Sequence, residues 1–236
     1  MAAPELSGVA IVGAGTFNPR IIHPRWLAER DLIPENLAKY AEGDESQQPL
    51  VVSPQLTVFV ADWLHVQVTQ EQAVFSTVDE GRDLDLRDFV RGVFELLPET
   101  PVDALGINSD THFRTPSEEA WHAFGDRFLP KEFWEPIFED EVWKKRPDGK
   151  RVGMRVMTVE VNRDDPEIPG YIRVELAPSV RTGPSGVYVG INGHFQLRHG
   201  DRKATNAGDA SRVLMAQWDD TRALQLGIRD QLLEAV

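Results

Sequence analysis

Asp110-x-His112 places a carboxylate and an imidazole two positions apart, inside the run Gly106-Ile107-Asn108-Ser109-Asp110-Thr111-His112-Phe113. On an extended strand, alternation puts Asn108, Asp110 and His112 on one sheet face and Ile107 and Phe113 on the other. A second run, Gly190-Ile191-Asn192-Gly193-His194-Phe195, repeats the tripeptide Gly-Ile-Asn and ends in the same His-Phe pair. There Val187, Val189, Ile191 and Phe195 share the apolar parity, against Asn192 and His194. If the two strands lie side by side, His194 can join Asp110 and His112. Two imidazole nitrogens and one carboxylate oxygen suit zinc or non-haem iron, so a metal-dependent hydrolase centred on these three residues is one reading. Against it, the chain has no HExxH or comparable cluster, and its six histidines are scattered. Asparagine and histidine on a covered polar face also serve as hydrogen-bonded packing groups. Ser109 lies between Asn108 and Asp110 without a Gly-x-Ser-x-Gly elbow. No residue is assigned a catalytic role.

The segment from Glu132 to Trp143 interleaves carboxylates with Phe133, Trp134, Ile137, Phe138, Val142 and Trp143. Aromatic anchors ringed by charge are a common composition of binding hot spots. Trp134, Phe138, Glu139, Asp140, Glu141 and Trp143 are therefore the candidate partner-binding residues, and at least one aromatic of the segment, Trp134 or Trp143 before the others, is expected to be exposed. Trp121 and Trp218 fall on apolar helical stripes and are expected in the core.

Composition narrows the classes of function. The 236 residues suffice for a substantial core, as one unit or two lobes. A net charge of −13 argues against a nucleic-acid backbone as main partner; the acidic clusters Asp79 to Asp88 and Glu132 to Glu141 read as solvated faces, or as a surface that docks onto a basic protein or mimics a polyanion, and the compact basic run is Lys144-Lys145-Arg146. The absence of cysteine removes disulfides, thiolate metal sites and cysteine nucleophiles together. No apolar run approaches the roughly 20 residues of a membrane span. Met1 to Ser7 lacks the basic and apolar regions of a signal peptide, so a cytoplasmic location is expected. No cofactor is called for.

The elements that must hold these groups follow from periodicity. Residues 8 to 13 form a short apolar strand, and Asn36 to Pro49 reads as a polar, exposed stretch. Gln55 to Thr69 is strand-like, with Val58, Val60, Leu64, Val66 and Val68 in period two; Ala73 to Val78 can pair with it. Leu86, Phe89, Val90, Val93 and Leu97 mark an amphipathic helix ending at Pro98. Val102 to Arg114 is the first Gly-Ile-Asn strand, and Thr115-Pro116-Ser117-Glu118-Glu119 opens a helix that carries Trp121, Phe124 and Phe128 inward. Val152 to Val161, Tyr171 to Leu176 and Val187 to Leu197 read as antiparallel strands with one wet face. Asp209 to Glu234 is a long closing helix with the stripe Leu214, Trp218, Thr221, Leu224, Ile228 and Leu232. The expected class is α+β, one continuous unit over 1–236 with antiparallel sheet in two possible lobes, 50–130 and 150–236, that the repeated tripeptide suggests are duplicated.

Two resemblances attach to the amino-terminal half. Gly15-Thr16-Phe17-Asn18-Pro19 after a strand resembles the phosphate-side signature of the adenylyl- and cytidylyltransferase superfamily. That family continues with His-x-Gly-His, where this chain has Arg20-Ile21-Ile22-His23-Pro24-Arg25-Trp26, so the catalytic pair is missing. Gly13-Ala14-Gly15 is likewise short of a dinucleotide fingerprint, since Asn18 takes the third glycine position. A second set of elements comprises Thr16 to Pro19, His23 to Trp26, Asp62-Trp63-Leu64, Ala104 to Asn108 and His112-Phe113. Together it resembles a group of uncharacterised bacterial proteins; that resemblance implies a shared fold and carries no activity. The reading that unites these observations is a non-enzymatic accessory or regulatory protein, a component of a multi-protein system, that binds a protein partner.

Overall fold

The computed structural model describes residues 2–43, 49–134, 137, 153–200 and 204–236. Among the described residues nine strands form one sheet: β1 (Pro4–Gly15), β2 (Val51–Val52), β3 (Leu56–Ala61), β4 (Leu64–Thr69), β5 (Gln72–Thr77), β6 (Val102–Arg114), β7 (Met157–Arg163), β8 (Gly170–Pro178) and β9 (Gly186–Gln196). The order is β2-β3-β4-β5-β1-β6-β9-β8-β7, and every neighbouring pair is antiparallel. The helices among the described residues are α1 (Pro24–Glu29), α2 (Glu35–Glu42), α3 (Asp83–Leu96), α4 (Glu118–Phe128), the four-residue α5 (Lys131–Trp134) and the long α6 (Ala207–Glu234). The fold is α+β with an antiparallel sheet and a long carboxy-terminal helix. No helix among the described residues is long and apolar enough to cross a membrane.

Alternation decides which face of the sheet is covered. Phe59, Val66, Phe75, Ile11 and Ile107 stand in register across β3, β4, β5, β1 and β6, and all are buried. Against this row pack Leu86, Phe89, Val90, Val93 and Phe94 of α3 and Leu214 and Trp218 of α6. Phe75 meets Phe89 edge-on with ring centroids 5.6 Å apart, a favoured aromatic geometry. Toward the other end, Phe113, Val187, Val189, Ile191 and Leu176 pack with Phe124 of α4 and Leu233 of α6. The opposite parity gives the uncovered face, where Asn108 stands opposite Asn192 and His112 opposite Tyr188.

The helices start where the local chemistry directs. Ser117 accepts the backbone N–H of Ala120 ahead of α4, and Glu118 and Glu119 lie in its first turn, where carboxylates offset the helix dipole. Asn206 and Asp209 form a reciprocal capping box at the start of α6.

Several elements depart from the sequence reading. The two halves do not carry separate sheets: the Gly-Ile-Asn strands β6 and β9 are direct neighbours, flanked by β1 and β8. Ile107, Phe113, Ile191 and Phe195 are all buried, as their parity requires. Gln55 to Thr69 is a hairpin, turned by Asp62-Trp63 with Asp62 at φ 57°. Aspartate tolerates this left-handed region better than bulkier residues. The stretch read as polar and exposed contains α2, which docks through Ala38 and Ala41; its residues 44–48 lie outside the described residues. Strand β7 begins at Met157, later than Val152, which lies outside the described residues. On α6 the buried positions include Leu214, Trp218, Thr221, Gln225 and Leu233, whereas Leu224 is 45% exposed.

Candidate functional site

The three proposed metal ligands do not meet. Asp110 and His112 lie together on the uncovered face of β6, with His112 Nε2 3.7 Å from Asp110 Oδ2. His194 stands opposite Gly106, four residues along β6 from Asp110 and six from His112. At about 3.3 Å per residue these offsets are roughly 13 and 20 Å. His194 instead stacks on Tyr171, centroids 4.5 Å apart and planes 14° from parallel. Among the described residues no group of three His, Asp or Glu side chains could hold a metal ion. The antiparallel register explains the separation: pairing Asn108 with Asn192 sends the two His-Phe ends in opposite directions.

His112 has a different set of partners. Ser179 Oγ accepts the backbone N–H groups of Arg181 at 3.0 Å and Thr182 at 3.2 Å. Its own hydrogen is then left for His112 Nδ1, 2.8 Å away. That bond makes Nδ1 the acceptor and leaves the ring proton on Nε2, facing Asp110. Burial pushes the His112 pKa below its ordinary value; Asp110 opposes that shift and Arg181 adds to it. The ring of Tyr188 lies 5.1 Å away, and burial, with Asp110 and Glu175, raises its phenol pKa. A Ser-His-Asp set is therefore present, but it cannot attack a substrate as arranged. The serine oxygen already accepts two amides and its proton is committed, so the group works as a clasp. It fastens the turn at 179–182 to β6, helped by Arg114 Nε, which donates to the Thr182 carbonyl at 2.9 Å.

The stretch Gly15 to Pro19 offers no phosphate cradle. The amides of Gly15, Thr16 and Phe17 are held by the carbonyls of Glu71, Pro101 and Gln70, each at 2.9 Å. A nest for a phosphate needs such amides free.

The partner-binding segment is described only at its start. Phe133 is 67% exposed and Ile137 59%, while Trp134 is half-buried and meets Phe133 edge-on at 5.1 Å. Just before them, Lys131 Nζ donates to Asp126 at 2.9 Å. Phe138, Glu139, Asp140, Glu141 and Trp143, and the basic run 144–146, lie outside the described residues.

A further site has no counterpart in the sequence reading. On the covered face, Ser7 stands opposite Thr111, and Val9 opposite both Ser109 and Thr77. These hydroxyls interrupt the apolar parity between the two hydrophobic clusters. Above them α6 presents Arg222, Gln225 and Arg229, spaced so that they share one helix face. Gln225 Nε2 donates to the carbonyls of Ile107 at 2.7 Å and Ile191 at 3.4 Å, the two isoleucines of the repeated tripeptide. Gln225 Oε1 accepts from Arg222 Nη1 at 2.8 Å, and Arg222 Nη2 donates to Asp83 in the first turn of α3.

Gly193 permits this close approach. A Cβ there would lie 2.7 Å from Thr221 Cγ2 and 3.1 Å from the Ile107 oxygen. Between sheet, α3 and α6 remains a cleft of about 190 Å³, lined by these polar groups together with Val9, Val78 and Leu226. Two signals in the sequence point to it: hydroxyls at positions 7, 109 and 111, where apolar parity calls for hydrophobes, and glutamine at 225 on the buried side of α6.

No protein-family model matches this chain, and no curated protein sequence matches it.

Proposed function

We propose that this is a non-enzymatic accessory or regulatory protein of the cytoplasm that binds another protein through the surface around Phe133, Trp134 and Ile137. The observation that supports the reading is the exposure of two large apolar side chains, Phe133 and Ile137, within five residues of each other. Hydrophobic side chains grouped in water and bordered by charge are typical of interaction sites. Glu132 and the carboxylates at 135, 139, 140 and 141 give the segment a negative field, so the partner is a protein with a basic face. Such a field speeds encounter and makes association sensitive to salt. Catalysis has no comparable support, since the Ser179 hydroxyl is engaged on every side and His194 stands away from Asp110.

The test is affinity capture from the native host with the parent chain and with Phe133→Ala/Ile137→Ala, at low and high salt. The parent should retain a defined partner that the double variant releases, and added salt should weaken the parent's capture. Equal capture by both forms would remove this surface from the account.

A further inference from the structure

We infer that the cleft between α6 and the sheet is a binding site for a neutral, hydroxyl-rich molecule the size of one sugar ring. The size follows from the volume. About 190 Å³ corresponds to roughly six times the ~30 Å³ that one water occupies in the liquid. One or two structural waters do not fill such a space, whereas a single ring with its substituents does.

The lining selects the chemistry. Ser7 Oγ and Asp83 Oδ1 are both buried, both border the cleft, and neither has a hydrogen-bond partner among the described residues. Leaving two such groups unmatched is costly, and a ligand that donates hydrogen bonds meets both once their side chains turn toward the cleft. Thr77, Ser109 and Thr111 add hydroxyls from three neighbouring strand positions.

Most charges bordering the cleft are compensated in place, Asp110 standing 3.7 Å from His112 instead of beside a fixed cation. Arg222 is paired with Asp83, Arg229 with Asp230 at 2.8 Å, and Asp79 with Arg82 at 3.9 Å. An anion would have to approach Asp79 and Asp83, and a cation would have to approach Arg222 and Arg229. A neutral polyol meets neither obstacle. Its hydroxyls can both donate to Asp83 and accept from the guanidinium groups, while Val9, Val78 and Leu226 offer an apolar surface to the C–H side of a ring. The same ring chemistry occurs in a free monosaccharide, a cyclitol and the ribose of a nucleoside.

The test uses the full chain and saturation-transfer NMR followed by calorimetry. The probes are D-glucose, D-galactose, D-ribose, myo-inositol, adenosine and uridine, with glycine, L-glutamate, L-lysine and inorganic phosphate as charged competitors. At least one neutral probe should bind with a Kd below about 1 mM, and the nucleosides against the free sugars identify the source of the ring. Ser7→Ala deletes a hydroxyl that has no partner among the described residues, so the melting temperature should stay within about one degree while affinity falls about tenfold. Ser109→Leu, which fills the cleft, should abolish binding. Binding of the charged probes alone, no binding of any neutral probe, or unchanged affinity in Ser7→Ala would each overturn the assignment.

Discussion

The side-chain amide of Gln225 donates to the carbonyl oxygen of Ile107 across 2.7 Å, from the buried side of a helix where an aliphatic residue would ordinarily pack. This bond ties α6 to the centre of the sheet, and the same amide reaches Ile191 on the next strand. Replacing Gln225 by Leu keeps the bulk but removes the donor for Ile107 and the acceptor for Arg222. Denaturant titration should show a loss of about 1–3 kcal/mol, the typical cost of stranding a buried polar partner. Leu224→Gln, one residue earlier on an exposed position, should change stability by no more than about 0.5 kcal/mol.

Gly193 and Thr221 form a second contact between the same elements. Gly193→Ala would bring a methyl to 2.7 Å from Thr221 Cγ2, and such overpacking costs typically about 1–3 kcal/mol. Thr221→Ser deletes that Cγ2 while retaining the hydroxyl that accepts from Arg163. In a double-mutant cycle the double variant should lose less stability than the sum of the two single variants, by at least about 0.5 kcal/mol. Strict additivity would mean that the helix yields without cost.

The clasp at His112 makes stability depend on pH. Burial holds the folded pKa of His112 below its ordinary 6.5, so in acid the unfolded chain binds a proton that the native ring resists. The contribution is complete above about pH 6.5 and is lost as pH falls through the lowered folded value. Protonation would also put a hydrogen on Nδ1, facing a serine whose acceptor capacity is taken by two amides. His112→Gln should flatten part of the decline in stability between neutral and mildly acid pH. A residual slope is expected because His65 is lowered by burial as well. An unchanged slope in His112→Gln would contradict this origin.

Apolar alternation made much of this architecture legible. The strands holding Ile107 and Ile191, the helix carrying Phe89 and Val93 and the long closing helix all follow from local periodicity. Strand order was not legible, because nothing local to β1 says that it inserts between β5 and β6. The hairpin at Asp62-Trp63 escaped because its apolar residues keep even spacing through the turn, although the face they occupy changes. The segment Glu35 to Glu42 buries little beyond two alanines, which weigh lightly in any hydrophobic pattern. Adjacent helix positions differ by about 100° in direction, and the choice between Leu224 and Gln225 turned on that rotation. Choosing leucine concealed the polar cleft. The convergence of Asp110, His112 and His194 failed for a related reason, since neighbouring antiparallel strands carry equivalent residues apart from their centre of pairing.

The proposed role rests on the surface around Phe133, and site-specific crosslinking tests it most directly. A photoreactive phenylalanine analogue would replace Phe133 in one sample and Val180, which is 96% exposed, in another. After illumination in host cells, the probe at 133 should yield one dominant adduct with a protein that presents a basic surface, and its yield should fall as ionic strength rises. The probe at 180 should not yield that adduct. If position 133 gives no adduct, or only the same background as position 180, this face is not where the protein meets a partner.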